Sequence, residues 1–402
     1  MPSVSHLLCR FSSGSYPKII YLQSAAISLK CKLSDNHKEV VETFEGKENC
    51  DALNELCLRY YKKVALSRAH YINRQMIFQN IKKYLKKTFH PSLTLKLFGS
   101  SVNGFGSKDS DVDVCLSNLP NTKQNKQRKH FEQIVRCLKK CKQFNDVEYI
   151  HSRVPIIKCI HKKSSLHFEF SLNNEWPIYN SKLLHRYSKI DERCLVLVHL
   201  IKYLVKQCNV VGPFHGYMSS YAYTIMVLFY LQQIDTPVLP VLQELKANDT
   251  KAQVQMVDGY STYYFKQSNQ ELKSIWPKFN QNRMSCGELW MGMLHFYTNT
   301  DDFINGNCVI TIRQHGFLSS KEKIYQQYPS LSRLWHKGRF RIEDPFELHR
   351  NLGSSLNSKT LPLIVKVFKE SLKRCQSLTH EICEEEDWSP TLLLPTNRIS
   401  SL

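Results

Sequence analysis

The chain has 402 residues, with 55 Lys and Arg against 35 Asp and Glu, for a formal net charge of +20. At about 150 residues per domain that length predicts two or three domains, and 42% hydrophobic with 22% charged residues excludes a disordered chain or a bare basic tail. The positive balance calls for an anionic partner, either nucleic acid or a membrane surface.

Residues 1–34 contain no acid, four bases (Arg10, Lys18, Lys30 and Lys32) and eight Ser. That composition is the one a mitochondrial presequence has; Pro17 interrupts any helix there, and a plain flexible N-terminus reads the same way. From about Lys47 to Lys87 apolar residues recur at helical steps, among them Leu53, Leu56, Cys57, Tyr60, Tyr61 and Val64, until Pro91 ends the pattern. Strand-like alternation follows, divided by a Lys-rich helix at roughly 125–143. Beyond about Ser181 the sequence reads as mostly helical, with amphipathic stretches at 184–207 and 219–234 and a polar loop or linker at 246–283. The expected division is an N-terminal segment 1–45, a first unit 46–180, a helical unit 181–380 and a tail 381–402, whose acidic run Glu384 to Asp387 reads as solvated surface.

The 14 Cys are scattered and hold no CxxC pair. Free thiols in a reducing, intracellular compartment are the expectation, cytoplasmic or mitochondrial, rather than a disulfide framework or a zinc site. Apolar runs such as Thr224 to Leu231 fall far short of the ~20 residues that span a bilayer, so no membrane partner is expected.

Gly is scarce, with 14 in the chain, yet Gly99, Gly104 and Gly106 fall within eight residues. Leu95-Lys96-Leu97-Phe98 runs as a strand into Gly99-Ser100-Ser101, and a second strand carries Asp111-Val112-Asp113-Val114. Such a turn frees backbone N–H groups and two hydroxyls for phosphate oxygens, and Gly allows the backbone close to the ligand. Residues two apart on a strand leave the same face, and two carboxylates on one face repel unless a cation lies between them. Mg²⁺ is the expected ion, because it takes carboxylate and phosphate oxygens together. A bare pair of this kind is more often a polar surface strand; the turn eleven residues upstream is what raises it. In Leu166-His167-Phe168-Glu169-Phe170-Ser171-Leu172 the polar side carries a third acid, Glu169. Three carboxylates on neighbouring strands suit two-metal phosphoryl chemistry.

Gly99-Ser100 followed by Asp111-Val112-Asp113 resembles the signature of the DNA polymerase beta-like nucleotidyltransferases. The string from Phe98 to Ser107 is similar to the cytoplasmic poly(A) polymerases and terminal uridylyltransferases of that superfamily. Arg153 to Lys158, Asn173-Asn174, Asn180, Asp191-Glu192-Arg193, Ser219-Ser220-Tyr221 and Ile342 to Phe346 match in order, so the resemblance covers roughly residues 60–375. It implies an α/β (α+β) chain: a mixed-sheet nucleotidyltransferase palm, a helical poly(A)-polymerase-associated domain, and a nucleotide between them. It also implies template-independent addition of UMP or AMP, from UTP or ATP, to an RNA 3′ end, with release of pyrophosphate. Two Mg²⁺ (or Mn²⁺) ions would be held by Asp111, Asp113 and Glu169. Gly99, Ser100 and Ser101 with Lys202 and Lys206 would take the triphosphate, Asn174 and Asn180 the ribose, and Ser220, Tyr221, Asp344 and Arg350 the rest of the nucleotide. Protein partners are not implied.

Several of these residues have an independent rationale beside a plainer one. Lys202 and Lys206 are four apart and share a helix face, which could equally be exposed basic surface. Tyr221 offers a stacking ring, yet also fits a core position. Two departures from the family stand out. Its third acid is Asp where this chain has Glu169, a carboxylate displaced by about 1.5 Å. That substitution keeps open a second reading, a catalytically weak or inactive relative that binds RNA or nucleotide as a regulator. The uridylyltransferases have His where this chain has Arg350, with His349 one position earlier. Arg only donates hydrogen bonds, which suits the uracil carbonyl better than the adenine amino group, while the Gly104 to Ser110 run looks as much like the adenylyltransferases. Finally, Lys126, Arg128, Lys129, Lys139 and Lys140 belong to a basic stretch with a single acid, Glu132, and read as a track for RNA phosphates beside clusters at Lys82, Lys83, Lys86, Lys87 and at Lys162, Lys163.

Overall fold

Val112, Val114 and Leu116 alternate with Asp113, Cys115 and Ser117, as Phe168 and Phe170 do with Glu169 and Ser171, and a period of two gives each strand one apolar and one polar side. The computed structural model describes residues 47–118, 124–151, 155–246, 255–299, 301–320, 335 and 340–395, without the side chains of 47–49 and 124–128. The expected segment 1–45, the chain beyond 395, Arg153 and the side chains of Lys126 and Arg128 lie outside the described residues.

Strands β1 (Thr94–Phe98), β2 (Val112–Ser117), β3 (Phe144–Ile150), β4 (Ile156–His161) and β5 (His167–Leu172) form a mixed sheet of order β1-β2-β5-β4-β3. Only β2 and β5 pair in parallel within it. Helices α1 (Lys47–Val64) and α2 (Arg68–Thr88) come before the sheet and α3 (Gln124–Lys140) lies within its sequence. Ile77, Phe78, Ile81 and Leu85 of α2 and Phe131, Ile134 and Leu138 of α3 share one core with Val112, Val114, Phe168 and Phe170. Both helices therefore cover the apolar side of the sheet. The side bearing Asp113 and Glu169 is left to face the remainder of the chain.

The helical reading from Lys47 to Lys87 resolves into two helices. The break falls at Ala65–Ser67, where the Ser67 hydroxyl accepts from His70 N–H to cap α2 and Leu66 N–H donates to Gly106 O. Their destinations differ. The apolar stripe of α1 (Ala52, Leu53, Leu56 and Cys57) packs in a second core, among helices, rather than on the sheet with which sequence grouped it.

That second core is built by α4 (Trp176–Tyr187), α5 (Glu192–Gln207), α6 (Ser220–Gln233), α7 (Asn269–Ile275), α8 (Cys286–Thr298), the short α9 (Asp301–Ile304), α10 (Thr360–Gln376) and α11 (His380–Glu385). Every residue of α6 from Ala222 to Gln232 is buried, as expected of a helix apolar on all sides and placed centrally. The amphipathic stretch 184–207 is interrupted at Ser188–Asp191, because the Asp191 carboxylate accepts from Arg193 N–H and starts α5 afresh. The stretch 246–283 is not wholly loop: it holds the hairpin β6 (Met256–Val257) and β7 (Tyr260–Ser261), then α7, opened by a Ser268–Glu271 capping box. Residues 381–395 are no loose tail either, since Cys383, Leu392 and Leu393 are buried in the helical core. The acidic run Glu384 to Asp387, between Cys383 and Leu392, is exposed. The described cysteines are free thiols, and no described helix is long and apolar enough to cross a membrane.

A small sheet of order β10-β8-β9 closes the helical unit, from β8 (Cys308–Ile310), β9 (Leu318–Ser319) and β10 (Arg341–Ile342). Directly after β10, Glu343 is wholly buried; it accepts from Arg313 Nε at 2.7 Å, from Arg313 Nη2 at 3.2 Å and from Thr311 Oγ1 at 2.6 Å. Removing one partner strands the other charge in the interior. Arg313→Met should therefore lower unfolding stability by about 3 kcal/mol in urea titrations, and a loss below about 1 kcal/mol would show the pair to be dispensable.

Candidate active site

The register of the sheet decides which side chains meet. Phe98 pairs with Asp113, Asp113 with Glu169, Glu169 with Lys158 and Lys158 with Glu148, one row across all five strands. Two carboxylates thus stand side by side on parallel strands, and Lys158 from β4 reaches Glu169 Oε1 at 2.5 Å. Asp111 lies one residue before β2 rather than on it; the residue is exposed overall while its carboxyl is partly desolvated against its neighbours. Burial, then Glu169, then Asp111 push the Asp113 carboxyl up to about 8; burial and Glu169 also raise Asp111.

The turn between β1 and β2 fits against these acids. Gly99 has φ +71, and a Cβ there would lie 2.0 Å from Asp113 Oδ2, so both conformation and space require glycine. Its N–H donates to Ser181 Oγ at 2.7 Å, and that hydroxyl donates onward to Pro177 O at 2.6 Å. Ser101 is buried and donates to Asp111 O at 3.0 Å, which braces the strand entrance. The guanidinium of buried Arg74 holds the same loop through the carbonyls of Ser110 and Lys108, at 2.6 and 3.0 Å.

A cavity of about 500 Å³ opens between the polar side of the sheet and the helices. Gly99, Ser100, Asp113, Glu169, Asn180, Lys202, Ser220, Tyr221 and Arg350 all line it, so residues scattered over some 250 positions converge on one cleft. Lys202 donates to Phe105 O at 2.7 Å. Burial, partly offset by Asp113, brings its ammonium down to about 8. Asp344 stands behind the lining. Its Oδ2 accepts from Asn180 Nδ2 at 3.1 Å and from Tyr221 Oη at 3.3 Å, while Oδ1 accepts from Phe346 and Glu347 N–H, both at 3.0 Å. Asn180 Oδ1 remains buried without a hydrogen-bond partner. Arg350, half exposed, is steered by Glu347 Oε2 at 2.9 Å.

Other sequence-predicted residues stand elsewhere. Ser101 and Asp344 act from behind the lining. Lys206 is exposed outside it, near enough to Asp111 to lower that carboxyl, and Asn174 offers its main-chain N–H to the Cys115 thiol. Lys129, Lys139 and Lys140 are exposed on α3, which packs behind the sheet on the side away from Glu169; the fold does not bring them to the cleft. Sequence reasoning gave no role to Lys158 or Ser181. Nothing local marks Lys158, since its meeting with Glu169 follows from strand order.

The donor set fits a divalent cation. Asp113 and Glu169 line one edge of the cleft with Asp111 just outside that lining, and burial together with the neighbouring carboxylates raises Asp113 and Asp111. Among the described residues no three such side chains converge closely enough to chelate an ion as they stand; Glu169 is turned to Lys158 instead. Asp111, Asp113 and Glu169 are the residues that would hold it.

Residues 53–189 match the family described as poly(A) RNA polymerase, mitochondrial-like, central palm domain, and residues 285–350 match the Cid1 family of poly(A) polymerases. The chain is 37% identical over 319 residues to terminal uridylyltransferase 7 of Homo sapiens, covering 79% of this chain and 20% of that protein. It is 27% identical over 371 residues to terminal uridylyltransferase cid1 of Schizosaccharomyces pombe, covering 89% of this chain and 84% of that one. A solved cytoplasmic RNA terminal U-transferase superposes with a TM-score of 0.69 at 26% identity, over 87% of this chain and 99% of that one. The chain therefore spans about a fifth of the human relative's length. Gly99→Ala should weaken Mn²⁺ binding roughly 10–100-fold, the range seen when a metal ligand loses its support. Calorimetric titration with circular dichroism as the folding control would read it, and unchanged affinity would remove the steric argument.

Proposed function

Because the chain belongs to the poly(A) polymerase and terminal uridylyltransferase family of nucleotidyltransferases, we propose that it adds UMP or AMP, from UTP or ATP, to RNA 3′ ends without a template. The observation that carries this reading is the cleft, where a glycine-serine turn, two adjacent carboxylates, a buried lysine and a tyrosine line one cavity of about 500 Å³.

Ser100 and Lys202 receive the triphosphate. A phosphate oxygen then competes with Phe105 O for the Lys202 ammonium and holds it charged. Tyr221 supplies a ring for the base, its hydroxyl fixed by Asp344. Asn180 turns its unpartnered Oδ1 to a ribose hydroxyl, the group that separates ribonucleotides from deoxyribonucleotides. Two divalent ions, Mg²⁺ or Mn²⁺, held by Asp111, Asp113 and Glu169, would neutralise phosphate charge for attack by the RNA 3′-hydroxyl and departure of pyrophosphate. Lys158 withdraws from Glu169 when that carboxylate is needed, and Lys206 lies close enough to Asp111 to meet outgoing negative charge.

UTP is the proposed preference. Glu347 occupies one end of the Arg350 guanidinium, and its remaining N–H groups donate toward the base. Donation matches a uracil carbonyl and not an adenine amino group. The second reading, an RNA- or nucleotide-binding regulator with little catalysis, is favoured by one observation, the close Lys158–Glu169 pair that occupies the third acid.

Incubation of a labelled oligoribonucleotide with Mg²⁺ and each NTP alone separates the two. Extension with UTP is expected, and the Asp111→Ala, Asp113→Ala double variant should abolish it; tight RNA binding with no extension favours the regulator. Glu169→Asp should raise the rate, because a 1 Å misplacement of a catalytic group costs on the order of 10²-fold, and an unchanged rate would show that the longer side chain is harmless. Arg350→Met should lower kcat/KM for UTP relative to ATP by roughly tenfold, about one hydrogen bond from a charged donor.

A further inference from the structure

Arg186 on α4 is only partly satisfied. Its Nη1 donates to Asn269 Oδ1 at 2.8 Å, whereas Nε and Nη2 are buried with no hydrogen-bond partner among the described residues. Those two nitrogens form one edge of the guanidinium, the parallel pair of N–H groups that grips two oxygens of a single phosphate. Native structures rarely leave buried donors of this strength unpaired, so the orphaned edge points to a missing acceptor.

The surroundings specify the acceptor's charge. Arg186 lines a cavity of about 370 Å³ together with Lys182, His185, Lys189 and Lys266, over a floor that includes Leu97 and Val102. No Asp or Glu is among its described lining residues, and among the described residues none of the three lysines or Arg186 is in an ion pair. Lys182 and Lys266 rest instead over the rings of Tyr179 and Tyr264, at 5.7 and 5.2 Å. All three lysines are exposed, and their side chains can swing to admit or clasp an anion.

Position ties this cavity to the cleft. Ser181 lines both. On α4, Pro177, Asn180 and Leu184 face the cleft while Lys182, His185 and Arg186 face the second cavity, about 160° round the helix at 3.6 residues per turn. The lysines of α3, by contrast, lie behind the sheet.

We propose that this cavity is a second phosphate subsite, which holds a backbone phosphate of the RNA strand whose 3′ end enters the cleft. The proposal rests on RNA being the substrate, and it names where the strand is gripped upstream of the reacting end.

Fluorescence anisotropy of the full chain with a labelled 15-nucleotide RNA and a labelled trinucleotide, without any NTP, tests it. Arg186→Gln and the triple variant Lys182→Ala, Lys189→Ala, Lys266→Ala should each weaken the 15-mer about tenfold or more and change the trinucleotide by less than about twofold. In the triple variant the slope of log K against log salt should shrink by about 0.7 for each phosphate that is no longer neutralised. Equal weakening of both RNAs, or unchanged 15-mer binding by the triple variant, overturns the proposal. The triple variant alters exposed side chains alone, so a folding defect in Arg186→Gln leaves the test decisive. A wild-type chain that grips the 15-mer through these residues yet extends it with no NTP would refute the transfer activity and leave the subsite standing.

Discussion

β2 and β5 run parallel and in register, and the pairing of Asp113 with Glu169 leaves two carboxylates no way to avoid one another. In water such neighbours would barely interact, but at a half-buried cleft edge their repulsion is several-fold stronger. Much of the surrounding structure answers this conflict. Lys158 leans across from β4 to one acid, Lys202 faces the other from α5, and the turn at Gly99 gives up a side chain so that Asp113 has room. Even so, Asp113 is left short of positive charge. Like charges held side by side in this way suit a cation between them.

The helical unit shows how two adjacent acids divide their labour. Glu343 pins the end of β10 to Arg313 and Thr311, inside the frame and away from the cleft. Asp344, next along the chain, is equally buried, yet it reaches the other way and fixes Asn180 of α4 and Tyr221 of α6 with one oxygen. Its second oxygen is consumed by two backbone N–H groups, which keep the carboxylate from rotating. Three elements distant in sequence are thereby set to one geometry by a single side chain, and the cleft wall is rigid where a base and ribose would rest.

How much of this could be read from sequence follows from the range of the forces concerned. Strand alternation, the glycine-serine turn and the acid pair are local patterns and were legible, whereas the mixed palm sheet that joins them was what the family resemblance implied. The capping box at Ser268–Glu271 was legible too, but the polar composition around it concealed a short helix. Long-range partners were not legible. Asn180 and Asp344 are 164 residues apart, and only the sheet order puts Lys158 beside Glu169. Clustering marked Lys129, Lys139 and Lys140 as a basic stretch, and they are exposed, but sequence carries no information on which side of a sheet that helix packs. For the same reason the helical stripe of α1 was visible while its neighbour was not: it was grouped with the sheet unit and packs among the helices.

Phe105 belongs by sequence to the turn beside Asp111 and Asp113, yet its ring is fully buried in the core of the helical unit. The backbone on either side is tied down as well: Gly106 O accepts from Leu66 N–H and meets His199 Nε2 at 3.1 Å, and Phe105 O takes Lys202. This turn is a pin through both halves of the molecule. An opening of the cleft that kept these contacts would pivot at that pin and move Asp113 little. Such a hinge would leave Asp113 and Glu169 in register on their paired strands while the helical wall of the cleft moved.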